Sequence, residues 1–175
     1  MKKTIFVTIL ILLVTSMTVL PGETGKRHDS YHKVETFMED YYRDYNLYAQ
    51  DAQTIDLMDK YWAPEFISIS FFPLPEYPVF DLTAWKNFLV GVHLNLLETL
   101  TVDELSIDTK KLTVVARLAI DFHDRASGAL VLHVDGIAFY NLKVGKKNKL
   151  KMTVLKLYFA DPIALMAISG PPPGM

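Results

Sequence analysis

Hydrophobic and polar positions alternate over the second half of the chain. Val114, Ala116, Leu118, Ile120 and Phe122 alternate with Val115, Arg117, Ala119, Asp121 and His123. After Arg125-Ala-Ser-Gly128 the alternation resumes, with His133, Asp135, Ile137 and Phe139 against Leu132, Val134, Gly136, Ala138 and Tyr140. Val144-Gly-Lys-Lys-Asn148 then turns the chain into Leu150 to Ala160. Period-two patterning between turn clusters predicts three long strands joined as an antiparallel meander.

The first half is patterned differently. Val34, Phe37, Met38, Tyr41, Tyr45 and Tyr48 recur at three- and four-residue spacing, which predicts a helix with one aromatic face, capped by Asp29 or Ser30 after a polar linker, Gly22 to His28. A short helix is expected from Ala52 to Trp62, ended by Pro64. Phe66–Phe72 is a strand, and three prolines between 73 and 78 force an extended loop. Asp81 or Thr83 caps a third helix bearing Trp85, Phe88, Leu89, Val92 and Leu96, followed by a strand over Val102–Ile107. Asp161-Pro162 opens a short terminal helix. Residues 169–175 form a loose Pro/Gly tail.

Met1-Lys-Lys-Thr before the apolar run Ile5–Leu20 changes the domain count. It assigns 1–25 to a signal peptide or an N-terminal anchor and 26–168 to one domain. A secreted or periplasmic protein is expected, or one anchored in a membrane if that segment is retained. Half of the residues are hydrophobic, enough for a sizeable core. The net charge of −2, without a basic stripe, argues against nucleic acid as a partner. With no cysteine, disulfides, thiolate metal sites and a cysteine nucleophile are excluded.

The element order helix, helix, strand, helix and four strands resembles the nuclear transport factor 2-like superfamily, on its polyketide-cyclase (SnoaL)-like and ketosteroid-isomerase-like branch. The resemblance is carried by Tyr61-Trp-Ala-Pro-Glu-Phe66, Phe80–Val90 and Leu157-Tyr-Phe-Ala-Asp-Pro-Ile-Ala-Leu165. It implies an α+β fold, a cystatin-like or NTF2-like cone in which a curved antiparallel sheet wraps around three N-terminal helices. The resemblance also implies a pocket between sheet and helices. His-Val-Asp-Gly-Ile-Ala-Phe139 looks like the strand on which ketosteroid isomerases carry an oxyanion-hole aspartic acid, which would make Asp135 a polariser. Where those enzymes carry a general base, this chain has Ser70 or its neighbours, which argues against steroid isomerisation.

Pairing across Arg125–Gly128 sets residue 119 near 133 and 117 near 135, so Arg117, Asp121, His123, His133 and Asp135 share a face. The last strand has Leu155, Leu157 and Phe159 at odd positions and Lys156 at an even one, which favours the odd face as the pocket lining. The apolar even face then becomes a back for dimer packing. On this reading the acid–base candidates are Asp135, His133, Asp121 and His123, since imidazole titrates near neutral pH. For Asp135 an ion pair with Arg117 competes with that role. Tyr41 or Tyr42, Trp85, Arg117, Ile137, Phe139, Leu157 and Phe159 would line a ligand. Neither a metal site nor a cofactor is expected. The lysines between 143 and 151 read as a solvated hairpin tip with a possible membrane-surface role.

The expectation is an exported, homodimeric pocket protein binding a small, mostly apolar molecule. The alternatives are a cofactor-free isomerase, dehydratase or cyclase using Asp135 with His133 or His123, and a non-catalytic dimeric scaffold with a filled pocket. An open cavity above about 300 Å³ separates the binding readings from the scaffold.

Overall fold

The computed structural model describes residues 21–71 and 79–169. Residues 1–20 of the proposed leader, the proline loop and the end of the tail therefore lie outside the described residues, whereas residues 21–25 of that leader belong to the first helix. Helix α1 (Pro21–Gln50) leads into a 3-10 helix (Ala52–Lys60) and strand β1 (Trp62–Phe71). Strand β2 (Val79–Asp81), helix α2 (Leu82–His93) and strands β3 (Leu96–Asp108), β4 (Thr113–Asp124), β5 (Leu130–Val144) and β6 (Leu150–Phe159) follow, then helix α3 (Pro162–Ser169). The strands form one six-stranded sheet in the order β2-β1-β6-β5-β4-β3. Neighbours are antiparallel except β1 and β6, which run parallel, so the sheet is mixed rather than wholly antiparallel.

Helix α1 starts at Pro21, so the stretch expected as a linker, Gly22–His28, is helical. Val34, Met38, Tyr41, Tyr45 and Tyr48 are buried, and they lie on the stripe that the spacing predicts. The 3-10 helix is capped by Asp51, whose carboxylate accepts from Gln53 N. Asp81 caps α2 by accepting from Ala84 N at 2.8 Å. Strand β3 begins six residues before the expected Val102. Its outer edge is covered by α1: Asn46 donates to Leu100 O and accepts from Leu100 N, both at 2.8 Å, and Gln50 donates to Glu98 O at 3.0 Å. Arg125 ties the helix ends to the β4–β5 loop, donating to Gln50 O at 2.7 Å and to His93 O at 2.8 Å.

The β4–β5 register differs from expectation by two residues. Asp121 lies opposite His133, Ala119 opposite Asp135 and Arg117 opposite Ile137. An even shift preserves the faces, so Arg117, Asp121, His133 and Asp135 do share one. The orientation, however, is reversed. Val114, Ala116, Leu118, Ile120, Val134, Ala138 and Tyr140 are buried against the helices, and the odd set faces outward. The apolar even face is the core of the cone rather than a back. A bulge causes the discrepancy. Leu142 pairs with Met152, but Asn141 pairs with Val154, leaving Thr153 as an extra residue in β6. Beyond the bulge, Ala138 lies opposite Leu157 and Gly136 opposite Phe159. The odd positions of β6 thus join the even positions of β5, and the inward set of β6 does not extend to the odd set of β5.

Candidate functional site

The interior of the cone is lined by aromatic side chains from α1, α2 and the sheet. Heptad-like spacing on α1 points Tyr41, Tyr45 and Tyr48 at the sheet, and Asp81 sets α2 so that Trp85 joins them. Between them lies a cavity of about 40 Å³ whose wall includes Tyr41, Tyr45, Trp85, Glu98, Leu157 and Phe159. That volume suits one water-sized group rather than a drug-sized molecule.

Five side chains of the wall carry polar groups: Glu98, Trp85, Tyr41, Tyr45 and Tyr140. Glu98, 5% exposed, sits at a core position of β3. Its Oε2 accepts from the Tyr45 hydroxyl at 3.0 Å and lies 2.7 Å from His93 Nε2. His93 is fully buried, and its Nδ1 lies 2.8 Å from the Tyr48 hydroxyl. The tautomer with its proton on Nε2 donates to Glu98 and leaves Nδ1 to accept from Tyr48. Trp85 is the second group: its buried indole N–H has no acceptor among the described residues. Two other buried atoms share that state, Trp62 Nε1 and Ser68 Oγ, and neither residue lines the cavity. The Tyr41 hydroxyl is the third. Burial holds this phenol well above its usual pKa, so it is a protonated donor at neutral pH.

Tyr42, Tyr140 and Tyr61 are committed to structural contacts. Tyr42 donates to the Tyr140 hydroxyl at 2.8 Å, and burial raises both. Tyr61 donates to Asp44 at 2.5 Å. Burial works against the Asp44 carboxylate, yet its contacts with Lys60, Tyr61 and Arg43 hold its pKa below the ordinary value. Ser70 is buried and lies opposite Leu157, on the inner side of β1.

The proposed acid–base residues sit on the other side of the sheet. Asp135 is 68% exposed and His133 53% exposed. His133 Nδ1 contacts Asp121 Oδ1 at 2.6 Å, and that bond raises the imidazole pKa. Arg117 reaches Asp103 at 3.6 Å rather than pairing with Asp135. His123 lies near the end of β4 beside a bulge, paired with Leu97 and Leu130, and Asp121 is bonded to His133 instead. Ile137 and Phe139, expected as ligand contacts, are exposed on this outer face with Tyr158. A shallow groove of about 480 Å³ runs there past Asp103, Arg117, Asp135, Ile137 and Tyr158. It clears the lower bound of about 300 Å³ for a ligand pocket and touches Asp135, but it lies outside the cone in open solvent. Tyr41, Trp85, Leu157 and Phe159 do reach the interior cavity.

His93 and Glu98 were not among the expected site residues. Leu96, Glu98 and Leu100 alternate inward, and a carboxylate within an apolar alternation was the available signal. It was hidden because β3 was expected to start beyond it. Among the described residues, no group of three or more His, Cys, Asp or Glu is placed to hold a metal ion.

No family model matches the chain, and no curated protein matches it. Solved structures do. A protein from Jannaschia sp. CCS1 assigned to the SnoaL-like polyketide cyclases is 15% identical, with a TM-score of 0.58 over 81% of this chain and 94% of that one. PrhC from Penicillium brasilianum NBRC 6234 is 7% identical, with a TM-score of 0.62 over 79% of this chain and 87% of that one. An NTF2-like protein of unknown function from Shewanella baltica OS155 is 14% identical, with a TM-score of 0.50 over 75% of this chain and 94% of that one. At these identities the likeness is one of fold. Together with the mixed, curved six-stranded sheet closed over α1 and α2, it shows that this chain has an NTF2-like cone fold.

Proposed function

We propose that this protein is exported and binds a small, mostly apolar molecule inside the cone, with Glu98, Trp85 and Tyr41 as its polar contacts. The observation that carries the reading is the pairing of an anchored acceptor, Glu98, with an unpartnered buried donor, Trp85 Nε1, in one aromatic wall. A hydroxyl-bearing apolar molecule satisfies both. A buried polar group left without a partner costs about 1–3 kcal/mol. Entry requires the partly buried Leu157 and Phe159 to move, because the cavity as closed holds only about 40 Å³. If the protein is also an enzyme, the reaction is a cofactor-free proton transfer. Glu98 is then the proton acceptor and His93 the group that orients it. Lys2-Lys3 before Ile5–Leu20 supports export. Exposed Ile137 and Phe139 support a homodimer through the outer sheet face, for which Ile137→Lys should give a soluble monomer.

The small cavity favours a second reading, a non-catalytic dimeric scaffold whose cone is filled by its own side chains. Native mass spectrometry of protein purified from its own host separates the two. A retained small molecule supports the binding reading. Bare protein at the mass of one or two chains supports the scaffold.

A further inference from the structure

Positive charge is concentrated at the tip of the β5–β6 hairpin. Residues 143–151 hold five lysines and no carboxylate, which leaves a formal −7 on the rest of a chain whose net charge is −2. Lys143 pairs with Glu65, and Lys151 donates to Asp59 O at 3.0 Å. Lys146, Lys147 and Lys149 are exposed and form no ion pair with a described carboxylate.

The backbone of the tip is strained in a way that retains this charge. Lys147 and Asn148 both lie in the left-handed region, at φ 56° and 57°. The β4–β5 loop meets the same need with Gly128, at φ 71°. Asparagine tolerates this conformation, whereas a lysine there is strained where glycine would not be. Gly145 closes the turn by donating to Lys149 O at 2.7 Å. The tip is also fixed in place, because Lys33 of α1 donates to Asn148 O at 2.8 Å. Lys26 and Arg27 lie earlier on the same helix, and the apolar run Ile5–Leu20 directly precedes that helix in sequence.

We propose that this tip, together with the Lys33 side of α1, docks the protein on an anionic lipid surface. Charge complementarity supports a polyanion. The continuity of the tip with α1, and of α1 with an apolar run, selects a bilayer. A basic patch only one turn wide on an acidic protein does not offer the stripe that a nucleic-acid backbone needs. The inference does not depend on what the cone binds.

The test is co-sedimentation of the full chain with vesicles of phosphatidylcholine alone and of phosphatidylcholine with equimolar phosphatidylglycerol, at low and at molar salt. The wild type should partition more strongly onto the anionic vesicles, and molar salt should abolish that excess. Replacing Lys146, Lys147 and Lys149 together by glutamine should reduce the excess on the order of 100-fold. Binding to phosphatidylcholine alone should be unchanged. Lys147→Gly provides a second arm that removes strain rather than adding it. It should raise thermal stability while lowering the anionic excess. Equal binding to both vesicles would overturn the proposal, as would a full anionic excess in both variants. So would competition by duplex DNA at the same charge concentration as the vesicles.

Discussion

His93 Nε2 lies 2.7 Å from Glu98 Oε2 in the interior of the cone, with both side chains buried, Tyr45 donating to the same carboxylate oxygen and Tyr48 bonded to the far ring nitrogen of His93. The contact links the end of α2 to the start of β3 across the two-residue turn Leu94-Asn95. It therefore fixes where the helix layer meets the edge strand, as well as the acceptor in the cavity wall.

Removing one member of such a pair leaves the other buried without its partner. His93→Ala is expected to cost about 3–5 kcal/mol in denaturant unfolding, and Glu98→Leu a similar amount. The double variant His93→Leu with Glu98→Leu should be more stable than the sum of the two single losses predicts, because neither member of the pair is left without the other, although the Tyr45 and Tyr48 hydroxyls lose their partners. Strict additivity across the cycle would mean that the two side chains act independently.

Arg125 is a second fixed point. Its guanidinium donates to the carbonyl oxygens of Gln50 and His93, at 2.7 and 2.8 Å, and reaches those of Ala49 and Leu96 at 3.3 and 3.4 Å. These are carbonyls at the ends of α1 and α2 and at the start of β3. Arg125→Ala should lower stability by about 2–3 kcal/mol. Arg125→Lys should recover only part of that, since one ammonium cannot span the fork. Midpoints of urea unfolding would show this ordering, and equal midpoints for the two variants would contradict it.

On the outer face, the Asp121 carboxylate raises the pKa of His133. A histidine whose folded value exceeds its unfolded one, about 6.5, stabilises the fold below that pH. The contribution is lost as pH rises through the folded value. The His133 ring resonances should therefore titrate above about 6.5 in the wild type and return toward that value in Asp121→Asn. An unchanged midpoint in the variant would exclude the bond as the cause. Because the group is open to solvent, the effect on overall stability should be slight.

The sequence disclosed most of the scaffold. The α1 stripe through Tyr41, Tyr45 and Tyr48, the Asp81 cap, the three long strands and the shared face of Arg117, Asp121, His133 and Asp135 all follow from periodicity and turn chemistry. The direction of that face did not. It depends on the single extra residue at Thr153, which the sequence marks only as a switch of the apolar set from even positions, Leu150 and Met152, to odd ones, Leu155, Leu157 and Phe159. Both faces of β4 and β5 carry enough apolar residues to be buried, so pattern alone leaves the choice open. Glu98 was missed for a related reason. The leucine-rich segment Leu94–Leu97 continues the third helix as plausibly as it begins a strand, so the inward alternation of Leu96, Glu98 and Leu100 lies before the expected start.

The central claim places the binding site inside the cone at Trp85 and Glu98, and not at the outer face. The most direct measurement is native mass spectrometry of the wild type, Trp85→Phe and Asp135→Asn, each purified from the protein's own host. The account predicts a retained small molecule in the wild type and Asp135→Asn, with occupancy sharply reduced in Trp85→Phe, which keeps the ring contacts but removes the N–H donor. Retention by Trp85→Phe with loss in Asp135→Asn would move the site to the outer groove and contradict the account.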